Sequence, residues 1–189
     1  MEKQTQTQTQ IINSVLETRT LEGDYPVYEN ASVDLIPLSP DCVYPTALYV
    51  LQSHLDNVWC IYERLLNSGI NIFQLDGIVE FEGGIIAPPV VELSDGVPAI
   101  VDGIHRFYIA RQFGFEVNSL YIERASMPII SYPVGWNEVV CYDKKPEEAR
   151  LLRKLRSGIE DKSEVLKTYY RDFSFLGSNG RRARKGQNG

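Results

Sequence analysis

The stretch that decides the fold is Ile100–Gly114, IVDGIHRFYIARQFG, where an apolar strand passes through Asp102-Gly103 into a helix. The first backbone N–H groups of a helix have no partner within it and carry the positive end of its dipole, so they can bind an anion. Gly103 permits a tight turn and close approach of a ligand, and the planar fork of Arg106 suits phosphate oxygens. Gly114 is expected to end the helix in the left-handed conformation. This stretch predicts a phosphate site at a strand–turn–helix junction.

The chemistry of these residues alone leaves two interpretations open. In the first, His105 titrates near neutrality and donates to a phosphate or moves a proton beside the turn. In the second, the stretch is an ordinary strand–turn–helix in which Asp102 caps the helix and Arg106 is solvated. A short motif of this kind is a hypothesis until its structural context is known.

The motif Asp102-Gly103-Ile104-His105-Arg106 resembles the Asp-Gly-His-His-Arg motif of the free serine kinases in the ParB/sulfiredoxin superfamily. The wider pattern is similar over residues 33–124, with a first strand at 33–36 and a hairpin entered from Pro88-Pro89. The resemblance implies an α+β fold: a small mixed sheet with packed helices, to which this chain adds a short C-terminal helical extension. It also implies a nucleotide, ATP or ADP, bound through Gly103, Ile104, His105 and Arg106.

Departures from the superfamily's patterns favour its kinase branch. Sulfiredoxins place a Cys directly before the His-Arg pair, where this chain has Ile104. Chromosome-segregation ParB proteins carry Gly-Glu-Arg-Arg at this turn and continue into a helix-turn-helix domain, and this sequence shows neither. The kinase motif fits best, although Ile104 replaces its first His.

Composition indicates an ordinary single-domain protein with appendages. The chain has 189 residues, of which 43% are hydrophobic and 23% are charged, so it can bury one sizeable core. A net charge of −6 disfavours nucleic acid as the main partner and favours small-molecule chemistry. The three cysteines form no Cys-x-x-Cys pair, and the sequence lacks a signal peptide and an apolar run of roughly 18 residues. A cytoplasmic location without membrane contact is therefore expected.

The chain divides into four predicted regions. Residues 1–24 begin with a Thr-Gln repeat that offers no apolar face, so they are expected to form a flexible leader. Residues 25–143 form the nucleotide-binding domain, and residues 144–176 form the helical extension. Residues 177–189 are Gly-rich and contain Arg181, Arg182, Arg184 and Lys185, which predicts a disordered basic tail with at most a loose anionic contact.

Two local patterns fix the elements around the motif. Apolar residues recur at helical spacing from Leu48 to Leu66, which predicts an amphipathic helix that starts after a Thr46 cap and ends at Gly69. His54 lies off that apolar stripe and is interpreted as a solvated residue. Two apolar runs on either side of Ser94-Asp95-Gly96 predict a hairpin that leads into the motif.

The predicted function is nucleotide-dependent phosphoryl transfer to a small hydroxylated metabolite. Such chemistry needs a phosphate cradle, a cation and one carboxylate base, with Mg²⁺ arriving on the nucleotide rather than in a protein-built metal centre. The resemblance to the kinases points to Asp41 as the base, and Asp102 is the other candidate because it adjoins the cradle; His105 completes the catalytic set. The alternative is a ParB-like nucleotide-binding switch or nuclease associated with nucleic acid.

Overall fold

The structure is a computed structural model that describes residues 4–22, 24–147 and 153–176. Within these ranges it contains the α-helices α1 (Gln8–Leu16), α2 (Gln52–Leu66), α3 (Ile104–Phe113) and α4 (Ser163–Lys167). The strands are β1 (Gln4–Gln6), β2 (Ser32–Leu38), β3 (Tyr44–Pro45), β4 (Tyr49–Leu51), β5 (Ile78–Phe81), β6 (Gly84–Ile86), β7 (Val90–Ser94), β8 (Val97–Asp102), β9 (Val117–Glu123) and β10 (Val140–Tyr142). None of these helices is long and apolar enough to cross a membrane.

A five-stranded mixed sheet in the order β2-β9-β7-β8-β3 forms the centre of the fold. Its β7–β8 hairpin turns at Asp95-Gly96, as the sequence predicts, and β8 leads directly into α3. The chain returns from α3 as β9, which lies parallel to β7 and antiparallel to β2. A three-stranded sheet, β1-β5-β6, and a parallel pair, β4-β10, complete the strands. The predicted α+β class with a small mixed sheet is confirmed.

Alternating side chains of the central sheet feed two hydrophobic clusters. Successive residues of a strand point to opposite faces, so Val91 packs into the cluster beneath α2 and α3, whereas Val90 packs into the other cluster. Phe107 brings α3 into the first cluster, and Phe173 brings the C-terminal segment into the second. The sheet is therefore covered on both faces, and the loops at the end of β8 lie where the two layers meet.

The N-terminal region differs from the flexible leader expected for residues 1–24. Residues 8–16 form α1, and Ile11 and Val15 are completely buried in the second cluster. The Gln10 side chain accepts a hydrogen bond from the Thr7 N–H at 2.9 Å, which helps to start the helix. The Thr-Gln repeat has no apolar face itself, but the apolar residues that follow it lie four residues apart and anchor the segment.

Two further boundaries differ from the sequence-based prediction. The helix expected from Leu48 starts only at Gln52, because residues 49–51 pair with β10 as β4. Thr46 does not cap it: its hydroxyl donates to the Ile100 carbonyl at 2.8 Å. The predicted C-terminal helical extension contains α4. Residues 148–152 of that extension and the basic tail at 177–189 lie outside the described residues.

Candidate functional site

The turn between β8 and α3 requires glycine at residue 103 for two reasons. Gly103 has a φ of +90°, a conformation that L side chains rarely adopt, and a Cβ built there would lie 2.6 Å from the Cβ of Pro89. Gly103 itself is the N-cap residue, with no side-chain cap, so the interpretation in which Asp102 caps the helix is wrong. Arg106 and Phe107 donate their N–H groups to the Gly103 carbonyl. The backbone N–H groups of the residues before Arg106 have no hydrogen-bond partner within the helix.

Arg106 turns back toward the sheet instead of extending into solvent. The guanidinium donates to the Ala87 carbonyl, and burial lowers its pKa while the nearby Asp102 carboxylate partly opposes this shift. No Asp or Glu oxygen lies within 4.0 Å of the guanidinium among the residues described. Arg106 is therefore a partly desolvated cation beside the helix start, not the solvated side chain of the second interpretation.

The two histidines of the chain meet at this site. The rings of His54, in the first turn of α2, and His105 lie edge to face with centroids 5.0 Å apart. Burial, and secondarily the neighbouring His54, lowers the pKa of His105 to about 4. His105 is therefore neutral at pH 7 and can accept or donate one hydrogen bond through each ring nitrogen.

Residues of the motif line two adjoining grooves. The first has a volume of about 380 Å³ and is partly lined by polar and aromatic side chains, including Tyr49, His54, Ser131 and Arg153. The second has a volume of about 480 Å³ and is lined mainly by aliphatic side chains of α2 and the β5–β6 region, with Gly103 and Arg106. The grooves share the residues Thr46, Ala47, Val101, Asp102, Ile104 and His105. We call residues 102–106 the ridge, because Asp102, Ile104 and His105 line both grooves.

Asp41 lies elsewhere. It occupies a short 3-10 helix at Pro40–Cys42, its side chain is 76% exposed, and it accepts from Arg111 Nε at 3.2 Å. Arg111 is in the last turn of α3, whereas the candidate cradle is at the first turn, and neither groove includes Asp41 in its lining. The structure thus brings together Asp102, Gly103, Ile104, His105 and Arg106, but it does not bring Asp41 to them.

Comparison with known proteins supports the relationship that the motif predicts. A family model described as the ParB CE domain matches residues 11–140, which is more than half of the chain. The chain belongs to the ParB CE domain family. No curated protein and no solved structure matches it. The ParB relationship is thereby confirmed, while the closer similarity to the kinase branch stays a prediction.

The ParB CE match contains the motif, both histidines and residues 11–16 of α1, but it omits part of the first groove. Arg153, Tyr169, Tyr170 and Arg171 line that groove and follow residue 140. No sequence pattern pointed to these four residues. Their charge and aromaticity were visible in the sequence, but no local signal places a residue 50 positions away in the same groove. His54 is exposed, as predicted, and its ring also contacts His105.

The ridge contains one carboxylate, Asp102, and one guanidinium, Arg106. No cluster of three His, Cys, Asp or Glu side chains that could hold a metal exists in the described part of the chain. Mg²⁺ is commonly bound through one or two carboxylates together with substrate phosphates. Asp102 lines both grooves and is the carboxylate that would either hold Mg²⁺ beside the phosphates or face the acceptor hydroxyl.

The low pKa of His105 predicts a measurable titration. With only two histidines, an NMR pH titration of the imidazole signals should show one histidine with a pKa of about 4, which His105→Gln removes.

Between pH 4 and 6.5 unfolded His105 binds a proton that folded His105 does not, so wild-type stability should rise with pH across this window more steeply than in His105→Gln. His54→Gln should raise the pKa of His105. Titration of His105 near 6.5 would contradict the buried arrangement.

Proposed function

We propose that this ParB CE protein binds a nucleotide at the ridge and transfers its terminal phosphoryl group to a small hydroxylated acceptor. The observation that carries the proposal is the meeting of two grooves at residues 102–106, where a helix start, a partly desolvated arginine and a carboxylate adjoin. Phosphoryl transfer requires donor and acceptor on opposite sides of the transferred group, together with neutralised charge. Two adjoining grooves that share Asp102, Ile104 and His105 offer neighbouring sites for a donor and an acceptor beside the same residues.

The different linings of the grooves suggest which molecule occupies each. The second groove presents aliphatic side chains such as Ile61, Ile72 and Ile86, with Arg106 at its motif end. This arrangement suits a nucleobase among the aliphatic side chains and phosphates at Arg106 and the start of α3. The first groove presents Ser131 and tyrosines, which suit a polar acceptor.

In this proposal Asp102 is the catalytic base. Its carboxylate accepts the proton of the acceptor hydroxyl as the acceptor oxygen forms a bond to the terminal phosphorus. The bond from that phosphorus to the bridging oxygen breaks, and the nucleoside diphosphate leaves with the electron pair. Mg²⁺, when bound with the nucleotide, supplies charge neutralisation on the phosphates. Neutral His105 holds a phosphate or acceptor oxygen by a hydrogen bond.

A nucleotide-binding switch is the second candidate, and the position of Asp41 favours it. Asp41 pairs with Arg111 away from the grooves, so Asp102 is the one carboxylate that the two grooves share. If Asp102 is committed to Mg²⁺, no second carboxylate is left at the ridge to act as base. The ridge would then bind a nucleotide and report its presence without transferring the phosphoryl group.

The test is to measure nucleotide affinity and transfer in matched variants. Calorimetric titration with ATP, ADP and CTP in the presence of Mg²⁺ should show Arg106→Ala weakening binding about tenfold or more, because hydrogen bonds to charged groups contribute about 1.5–3 kcal/mol. Arg111→Ala, on the same helix but paired with Asp41, is the control and should change affinity less than twofold. Asp102→Asn should lower transfer to a panel of hydroxylated compounds by roughly a hundredfold or more, and Asp41→Asn should not.

The outcomes separate the candidates. Binding that needs Arg106, with transfer that needs Asp102, supports the phosphotransferase. Binding that needs Arg106, without transfer to any compound of the panel, favours the switch. Equal affinities of wild type and Arg106→Ala would contradict both, since both place the phosphates at the start of α3.

A further inference from the structure

One wall of the first groove comes from the chain beyond the ParB CE match. Arg153, Tyr169 and Tyr170 line this groove, while the match ends at residue 140. These residues therefore belong to the part of the protein that the family model does not describe. Whatever they recognise is added to the chemistry of the motif.

Arg153 differs from the neighbouring cationic residues because its guanidinium contacts an aromatic residue and not a carboxylate. Its guanidinium donates to the Tyr170 hydroxyl and lies over the Tyr170 ring, 5.9 Å from the centroid. Lys154 pairs with Glu138 and Arg156 pairs with Asp95, whereas no carboxylate lies within 4.0 Å of Arg153 in the described residues. Arg153 is thus a partly buried cation in a groove, held by an aromatic hydroxyl and ring.

Backbone hydrogen bonds attach the residues that follow Arg153 to the groove wall. Tyr132 donates its N–H to the Lys154 carbonyl at 2.7 Å, and Arg156 donates to the Ile130 carbonyl at 3.0 Å. Both bonds lie on the C-terminal side of Arg153 and attach residues 154–156 to the 130–132 stretch, of which Ile130 and Ser131 line the groove.

Among the charged side chains that line the first groove, Arg153 is the one available to bind an anion. Arg171 also lines the groove, but it forms an ion pair with buried Glu92 at 3.0 Å. Asp102 is the carboxylate at the ridge end. A guanidinium with donors facing a groove binds carboxylate or phosphate oxygens in a paired geometry.

We infer that Arg153 forms an anion subsite, so that the molecule bound in the first groove carries a carboxylate or phosphate in addition to its hydroxyl. The inference rests on the proposed function for the identity of that molecule as acceptor. Arg153 then acts as a specificity-determining residue, because it holds the acceptor by its anionic group while the hydroxyl faces Asp102. Uncharged alcohols of the same size lack the group that Arg153 recognises.

The experiment uses three probes that share hydroxyl groups and differ in charge: glycerol, glycerate and glycerol 3-phosphate. Their affinities for the full chain are measured by calorimetry, with the MgATP affinity measured in parallel. Wild type should bind glycerate or glycerol 3-phosphate at least about tenfold more tightly than glycerol, and the better of the two identifies the anionic group. Arg153→Gln should abolish this preference, and Arg153→Lys should retain only part of it. Lys154→Gln, which removes a positive charge one residue away, should leave it unchanged, and circular dichroism checks that each variant folds.

The failure of this inference is distinguishable from that of the proposed function. Absence of an anion preference in wild type, or a preference that survives Arg153→Gln, overturns the subsite whatever the MgATP affinity. A preference that depends on Arg153 in a protein that does not bind MgATP supports the subsite and overturns the nucleotide proposal. Arg153→Gln should change the MgATP affinity less than twofold, since the phosphates are assigned to Arg106 in the other groove.

Discussion

Replacing Arg171 by methionine should lower the free energy of unfolding by about 3–5 kcal/mol, because it leaves a buried carboxylate without its counter-charge. The side chains of Arg171 and Glu92 are 3% and 1% exposed, and their closest nitrogen and oxygen are 3.0 Å apart. Arg171 also donates to the carbonyls of Met127, Pro128 and Tyr169, and Glu92 accepts from the Tyr28 hydroxyl at 2.9 Å. Chemical denaturation measures the loss.

Two controls make this test specific. Arg19→Met removes an exposed arginine whose partner, Asp24, is 3.4 Å away, and it should cost less than about 1 kcal/mol. The double variant Arg171→Met/Glu92→Leu should recover part of the loss, because removing both charges avoids an unpaired buried ion. A double variant as unstable as Arg171→Met would show that packing, not charge, explains the effect.

The same variant should show a pH dependence with a definite sign. Burial raises the pKa of Glu92, and Arg171 opposes that rise. Without Arg171 the folded-state pKa rises further above the unfolded value near 4.5, so at higher pH the folded state retains a proton that the unfolded state has released. The free energy of unfolding then falls as pH rises. The difference from wild type should be larger at pH 8 than at pH 5, and an equal difference would contradict this explanation.

Gly103→Ala should lower the free energy of unfolding by about 2–5 kcal/mol. The left-handed backbone costs an L residue roughly 1–2 kcal/mol, and crowding against Pro89 adds about 1–3 kcal/mol, since the new Cβ would lie 2.6 Å from the proline Cβ. Because relief of that contact moves the start of α3, nucleotide affinity should fall as well. Denaturation and calorimetry measure the two effects.

Gly114→Ala is the matched control for the backbone contribution. Gly114 ends the same helix with a φ of +69°, but nothing lies within 4 Å of a Cβ built there. It should therefore cost about 1–2 kcal/mol and leave nucleotide affinity unchanged. If the two alanine variants lose equal stability, the contact with Pro89 is not the reason for glycine at residue 103.

The ion pair between Arg171 and Glu92 links the stability of the fold to the candidate site. Arg171 lines the first groove while its partner Glu92 lies in β7, so the buried ion pair attaches the C-terminal segment to the sheet directly behind that groove. Backbone bonds from Leu21 to Tyr170 and from Asp172 to Arg19 join the same segment to the N-terminal region. The two chain ends therefore support the groove wall together, although neither contains the motif.

The sequence by itself determined the hairpin, the turn and the helix around the motif. Asp95-Gly96 between apolar runs, and Gly103 and Gly114 at the ends of the helix, are local signals, since the required backbone angles depend on the residues themselves. The resemblance carried by the motif implied the α+β class. The motif also predicted the ParB relationship, because five contiguous residues can be recognised in the sequence without knowledge of any tertiary contact.

Only the tertiary structure decided which distant residues share the site. His54 and His105 are 51 positions apart, and Glu92 and Arg171 are 79 positions apart, so no local pattern links them. Asp41 was predicted as base from its place in the chain, yet packing of its loop against the far end of α3 pairs it with Arg111. Such contacts arise because burying both faces of the sheet brings α1, α2 and the C-terminal segment together. Composition and periodicity predict that a residue is buried, but not which residues it is buried against.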